Sequence, residues 1–487
     1  MLKLLSKSDA KRVADFLEAE GYTEAKLRHN LGLKELASSR LRNLPRLKDA
    51  TREPSCLNTL VRWFWIGLQQ SMDAAANAVP SWFIALALGC GLLRKDDNEL
   101  QPEAMLFPMG KFLYVADHTS KIDNGQSDLV LWPNPTSRLL ARCTIRNRSR
   151  ATLDLGTGSG IQAILASEHS DRVVGTDLNA RAIQFAQFSA RLNEVENVEF
   201  LVGSGFEPLA GQKFDLIVSN PPFFITPIEQ YLFCDNPLEL DQLCRKFACE
   251  APLHLNEGGY YQMLCEWAEI DRQPWQERLV EWFDGLGCDV WVLKGYTTDP
   301  GDYAEEHIRS TGSPSEARDA EVYSAYMEYY RKHKVTGIHG GLVAMHRRSG
   351  KNWTLLEEVE RTPKDAFGDL IADTFSRRTF LLEREHDDEL LPLRPKLSPD
   401  TRLEQVFMPN GEAWKPQGLT LRAAKELNSS IGVQPAVAEF LALCDGSRSL
   451  QEIVTQFAAG VNAPQEQVQR ECLAAVRTLI ERGFLSY

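Results

Sequence analysis

The stretch Asp154-Leu155-Gly156-Thr157-Gly158-Ser159-Gly160 constrains this chain more than any other. It follows a short apolar run at 152–155, which reads as a buried strand, and it opens a helix from Ile161. Three alternating glycines let the backbone turn sharply and bring its N–H groups close to a ligand. Asp177 ends the next strand, 172–176, and stands 21 positions after Gly156. A carboxylate at that point can accept both hydroxyls of a ribose. Loop and acid together predict an adenosine-bearing cofactor across the ends of the first two strands of a parallel sheet. Two cofactors fit the loop taken alone. Gly158-Ser159-Gly160-Ile161-Gln162-Ala163 satisfies the dinucleotide pattern of NAD(P) proteins. The Asp-x-Gly-x-Gly-x-Gly form starting at Asp154 is the one that S-adenosylmethionine sites use.

A second element separates them. Residues 214–219 read as the fourth strand and end in Asn220-Pro221-Pro222-Phe223-Phe224, 60 positions after Gly160. Ligands bind at the carboxyl ends of strands in such sheets. Asn220 offers one acceptor oxygen, and the carbonyl of Pro221 offers a second in a backbone held extended by proline. Two acceptors at fixed separation suit a planar NH2 group, and Phe223 supplies a flat apolar wall for it. Hydride transfer has no use for such a clamp, so the reading becomes S-adenosylmethionine and transfer of its methyl group to an amino nitrogen.

On these residues the chain resembles the class I methyltransferases of the "methyltransferase small domain" group. That group includes the release-factor and ribosomal-protein glutamine methyltransferases and the guanine-N2 and adenine-N6 RNA methyltransferases. The resemblance rests on Asp154–Gly160, Asp177-Leu178-Asn179 and Asn220–Phe223, and it covers residues 129 to 350. It implies Asp154, Gly156, Thr157, Gly158 and Gly160 around the cofactor's methionine end, Asp177 and Leu178 at its ribose, and Asn220 bordering both cofactor and substrate. It implies Asn220, Pro221 and Phe223 as the catalytic set. Two departures stand out. Where the group carries an acid after strand three, this chain has Gly203-Ser204-Gly205, so Ser204 or a backbone group takes the adenine. Glutamine methyltransferases usually carry Tyr where this chain has Phe223, which leans toward RNA, whereas the net charge of −13 leans toward protein.

Alternation of strands and helices from residue 129 implies an α/β fold: a doubly wound, mostly parallel, seven-stranded sheet covered by helices. The flanks read as mainly helical, winged-helix-like domains. The expected divisions are 1–128, 129–353, a charged connector at 354–400, and 401–487. An acidic chain of 487 residues is no general nucleic-acid coat. Arg138, Arg142 and Arg146 nonetheless fall on one helical face, with Arg148 and Arg150 beyond, and form a candidate phosphate-binding stripe. Thr136 or Ser137 reads as the cap of that helix, with contact to the cofactor carboxylate as the sharper alternative. Ten scattered cysteines without a Cys-x-x-Cys pair read as buried small hydrophobes, and His333, His339 and His346 lack metal-site spacing, so no metal is expected. The absence of a targeting or membrane-spanning run sets the expectation of a cytoplasmic protein acting on a protein or RNA of the translation apparatus. Two other readings stay open. Leu443–Leu450 resembles peptide-recognition winged helices, which would make the C-terminal part a module delivering a modified peptide. A regulatory protein that only binds S-adenosylmethionine is the other.

Overall fold

The computed structural model describes residues 2–36, 44–118, 121, 126–311, 316–359, 365–411, 413–423, 427, 430–460 and 464–487. The chain divides into two compact units, Met1–Glu357 and Glu358–Tyr487.

The first unit is built on an eight-stranded sheet. Its strands are β1 (Ser149–Leu155), β2 (Ser170–Asp177), β3 (Val198–Val202), β4 (Phe214–Ser219), β5 (Leu255–Ile270), β6 (Cys288–Thr298), β7 (Val335–Arg347) and β8 (Thr354–Glu358). They lie in the order β8-β6-β7-β5-β4-β1-β2-β3. Pairings from β3 through β5 are parallel, while β7 runs antiparallel between β5 and β6. The order reverses between β1 and β4, so the crevice at their carboxyl ends is the switch point where ligands bind in doubly wound sheets. The sequence predicts seven strands. The eighth comes from residues assigned to a connector; it is short, acidic and at the sheet edge, where charge guards against further pairing.

Helices α1 (Pro135–Cys143), α2 (Ile161–Ala166), α3 (Ala180–Leu192), α4 (Pro300–Thr311) and α5 (Glu316–His333) pack around the sheet. The N-terminal residues form the expected helices, among them Lys7–Ala19 and Ser81–Cys90, and the expected hairpin Met105–Met109 with Phe112–Ala116. Hydroxyls of Ser6, Thr23, Ser55 and Ser71 each cap a helix by accepting a backbone N–H. One hydrophobic core joins these elements to α3: it runs from Leu5, Trp63, Phe64 and Phe107 to Phe185, Phe188 and Leu192. Val115 N donates to Ser189 Oγ at 2.9 Å, and the Asn193 side chain bonds both N–H and C=O of Leu113. A second core, with Trp267, Trp275 and Trp282, fills the space between β4–β7 and their helices.

Glu266 on β5 is buried, and its two carboxylate oxygens accept the hydroxyls of Tyr296 and Tyr303. Burial outweighs those bonds and pushes its carboxyl up to about 7. An acid raised in this way keeps its proton in the folded chain between its unfolded value of 4.5 and about 7. It therefore favours folding below that window, and the advantage is lost as pH rises through it. Glu266→Gln removes this titration. Urea unfolding is expected to show the variant gaining on the wild type by on the order of 2–3 kcal/mol between pH 5 and pH 8. A constant difference at both pH values would contradict the assignment.

The second unit holds the helices Gly368–Leu382, Pro435–Leu441, Leu450–Gly460 and Gln465–Glu481 around one core with Phe440, Ile453, Val476 and Phe484. Leu485–Ser486 pairs with Lys396–Leu397, as a terminal wing strand would. The expectation of an otherwise helical region is corrected at Thr401–Asn410, Ala413–Ala423 and Ser430–Val433, which form an antiparallel three-stranded sheet. The side chains of Thr401–Asn410 are almost all exposed, so no buried face imprints a period of two on the sequence. Likewise, the expected connector at 354–400 contains the helix Gly368–Leu382, whose inner face is buried.

Candidate active site

The glycine loop leaves β1 and enters α2 as the sequence reading requires. Gly156 N and Thr157 N both donate to Thr176 O, at 2.9 and 2.8 Å, and tie the loop to the end of β2. Asp154 is buried, and its Oδ2 accepts Thr157 Oγ1 at 2.7 Å and Ala163 N at 2.9 Å. These two expected cofactor residues thus brace the loop against the first turn of α2. Gly156 and Gly158 have φ of +79° and +55°, and a Cβ built on either meets no heavy atom within 4 Å. Their missing side chains leave open space over the loop. At Gly160 the reason is packing: a Cβ there would lie 3.2 Å from Ala186 Cβ.

Asp177 stands beside the loop. Its Oδ2 accepts Gly158 N at 2.9 Å and its Oδ1 accepts Asn179 N at 2.8 Å, so each oxygen keeps a lone pair for a further donor. Burial raises its pKa, and the two amides pull in the opposite direction. Leu178 is largely exposed over the same cavity, and Ser204 follows the end of β3 on its far side. From β4, Asn220 enters the cavity wall. Its Oδ1 is buried and has no hydrogen-bond partner among the described residues. A buried acceptor left unpaired is unfavourable by about 1–3 kcal/mol, and this one belongs to a residue of the cavity wall. Downstream the chain folds back: Phe224 N donates to Cys234 O at 3.2 Å, and Asn236 Nδ2 donates to Pro222 O at 2.9 Å. Phe223 lies 5.5 Å from Phe224, centroid to centroid.

These groups line one cavity of about 630 Å³. It brings together Asp154, Gly156, Thr157, Gly158, Asp177, Leu178, Ser204, Asn220, Pro221 and Phe223; Gly160 is not in its wall. It also takes in Leu131 and Trp132 before α1, and Leu232, Phe233 and Leu238 after the clamp, none of which carries a local sequence signal.

Two expectations change. The cap of α1 is Asn134, whose Oδ1 accepts Ser137 N at 2.8 Å and both the Thr136 and Ser137 hydroxyls. Asn134 precedes the first helical residue, Pro135, so it holds the position from which a side chain reaches the free N–H groups. Four of the five arginines of the stripe are engaged rather than presented as a free basic face. Arg138 pairs with Glu24 at 2.9 Å, Arg146 donates to Ala141 O, and Arg148 and Arg150 pair with Asp171 and Asp215. The three histidines do not converge either: His339 bonds Glu269 and Thr297, His346 stacks on Tyr260, and His333 packs on Tyr329.

Comparison with known proteins decides the family. The model of the "Methyltransferase small domain" matches residues 133–268. A release factor glutamine methyltransferase of Geobacter sulfurreducens is 31% identical over 214 residues, which is 38% of this chain and 75% of that protein. The chain belongs to the methyltransferase small domain family. A release factor glutamine methyltransferase of Aliivibrio fischeri is 40% identical over 103 residues, 20% of this chain. The match spans about a third of that relative's length, 36%. Residues 372–487 match a domain of unknown function.

The methyl donor of this family is S-adenosylmethionine, and the cavity fits it. The lone pairs left on Asp177 suit ribose hydroxyls, the glycine loop is bare of side chains, and the volume lies in the range of small-molecule sites. Asp177→Ala is expected to weaken cofactor binding by about 1–3 kcal/mol, because it removes charge-assisted bonds and also frees two loop amides. Asp177→Asn, which keeps one acceptor, should fall between. Isothermal titration with S-adenosylmethionine measures both; an Ala variant with wild-type affinity contradicts the role.

Proposed function

We propose that this methyltransferase acts on a planar amino nitrogen, the side-chain amide of a glutamine in a protein of the translation apparatus. The observation that carries the reading is the unpaired, buried Asn220 Oδ1 in the wall of the cavity that the glycine loop and Asp177 share. An NH2 group placed there donates one hydrogen to Asn220 and the other to the Pro221 carbonyl. Phe223 fixes its plane.

When bound, S-adenosylmethionine supplies an already activated methyl group, so the protein has geometry and electrostatics to add. An amide nitrogen is a weak nucleophile because its lone pair is delocalised. Two fixed acceptors hold both N–H bonds and favour positive charge developing on nitrogen. They also keep the nitrogen within about 3–3.5 Å of the atom it attacks, in line with the bond that breaks. The nitrogen becomes acidic once it carries the methyl group, and its proton is then lost to water. No dedicated base is needed.

Protein is favoured over RNA because four of the five arginines that read as a phosphate-binding stripe are engaged, with Glu24, Ala141, Asp171 and Asp215. The names of the relatives point the same way. The test is transfer of labelled methyl to fractionated release factors, ribosomal proteins and RNA, followed by identification of the modified residue. Label on N5-methylglutamine supports the reading. Label confined to an RNA base, lysine or a small molecule overturns it, and binding of S-adenosylmethionine with no transfer to any fraction returns the regulatory reading.

A further inference from the structure

Beyond the clamp, three side chains distant in sequence converge at the wall of the cavity. Cys234 and Asp235 close the segment that folds back on Phe224, and His307 projects from α4. All three are buried, at 4%, 6% and 7% exposure. Cys234 Sγ lies 3.2 Å from Asp235 Oδ1 and 4.0 Å from His307 Nε2, and Asp235 Oδ1 lies 3.8 Å from His307 Nε2. A tetrahedral zinc ion, with bonds of about 2.3 Å to sulfur and 2.0–2.1 Å to nitrogen and oxygen, spaces its ligand atoms roughly 3.3–3.6 Å apart. The observed triangle differs from that by a few tenths of an ångström on each side.

We infer that Cys234, Asp235 and His307 form a binding site for a zinc ion. The groups behind them are arranged as ligand-orienting partners are. The other oxygen of Asp235, Oδ2, accepts Gln230 N and Tyr231 N at 2.9 Å each, which turns Oδ1 toward the triangle. Tyr326 donates its hydroxyl to Thr226 Oγ1 at 2.8 Å, so toward His307 Nδ1 it is an acceptor. The imidazole proton then sits on Nδ1, and Nε2 presents its lone pair to Cys234 and Asp235. Phe224, edge-on at 4.9 Å, holds the ring. Three protein ligands leave the fourth position to water or to a group entering from the cavity, which Cys234 and Asp235 line. Cys234 O and Asn236 bond the clamp segment directly, so the ion would fasten that segment to α4.

Cobalt and zinc titrations of the chelator-stripped full chain test this without reference to methyl transfer. One equivalent of Co2+ should bind with a thiolate-to-cobalt charge-transfer band and tetrahedral visible bands, and Zn2+ should displace it. Cys234→Ser should lose the charge-transfer band. Tyr326→Phe should bind zinc about 10–100-fold more weakly while keeping that band. If the wild-type chain binds no Co2+, or binds it with no charge-transfer band, the three groups are a hydrogen-bonded polar cluster and the inference falls. The same holds if a folded Cys234→Ser variant binds zinc as the wild type does. Should that variant fail to fold, the wild-type spectrum alone decides.

Discussion

Asn220→Ala is expected to lower turnover by about two orders of magnitude or more, with S-adenosylmethionine affinity close to wild type. Its side-chain oxygen forms no hydrogen bond among the described residues, so removing it breaks none of the bonds seen to hold the fold. Thermal stability should therefore stay level or rise slightly. The substrate amide would keep a single acceptor, the Pro221 carbonyl, and would lose both its orientation and half of the stabilisation of its developing charge. In the proposed site the cofactor is held by Asp177 and the glycine loop, which lie at the ends of β2 and β1. Asn220→Asp keeps an acceptor oxygen and should retain more activity than Ala. Steady-state methyl transfer with calorimetry on the same preparations separates these terms. Wild-type turnover in Asn220→Ala would show the strand-four element to be only a turn.

Trp267→Ala should destabilise the first unit by about 3–5 kcal/mol. Trp267 is fully buried on β5, between β4 and β7, with its ring 5.7 Å from that of Trp275. Truncation there removes a large packed surface from the second core. Its indole nitrogen has no partner, so Trp267→Phe loses packing without orphaning a group and should lose less than half as much. Shifts in urea midpoint at constant slope measure both. A Trp267→Ala midpoint within error of the wild type would mean that this part of the core collapses onto the gap.

What was legible in the sequence is what is local. The glycine loop, Asp177 and the Asn-Pro-Pro-Phe element each lie at the end of one strand, and a doubly wound sheet brings all strand ends of one kind to one crevice. Topology then assembled the cavity with no further information. The cap of α1 lies a few positions from the one the sequence suggests, because Asn134, Thr136 and Ser137 are all good caps and Pro135 at the first helical turn decides between them. The arginine stripe differs from its expectation because spacing gives a face but not what lies against it; Glu24 comes from a helix more than a hundred positions earlier. Strand β8 hid in a charged run because edge strands carry charge. Cys234, Asp235 and His307 left no trace in spacing. Their meeting depends on α4 crossing the folded-back segment, and single-sequence periodicity carries no such information.

The core shared by the N-terminal elements and α3 bears on how the molecule comes into being. Leu5, Trp63, Phe64 and Phe107 are buried in a cluster that is completed by Phe185, Phe188 and Leu192. A ribosome making this chain releases the helices and the hairpin long before the residues that cover them. At ordinary elongation rates roughly 4–15 s pass between the emergence of Ala116 and that of Leu192. For that interval the nascent chain carries an apolar face with no native cover, and it is then a client for whatever holds exposed hydrophobic segments apart in the cell. The apolar face made by the first third of the sequence is thus finished by residues of the second.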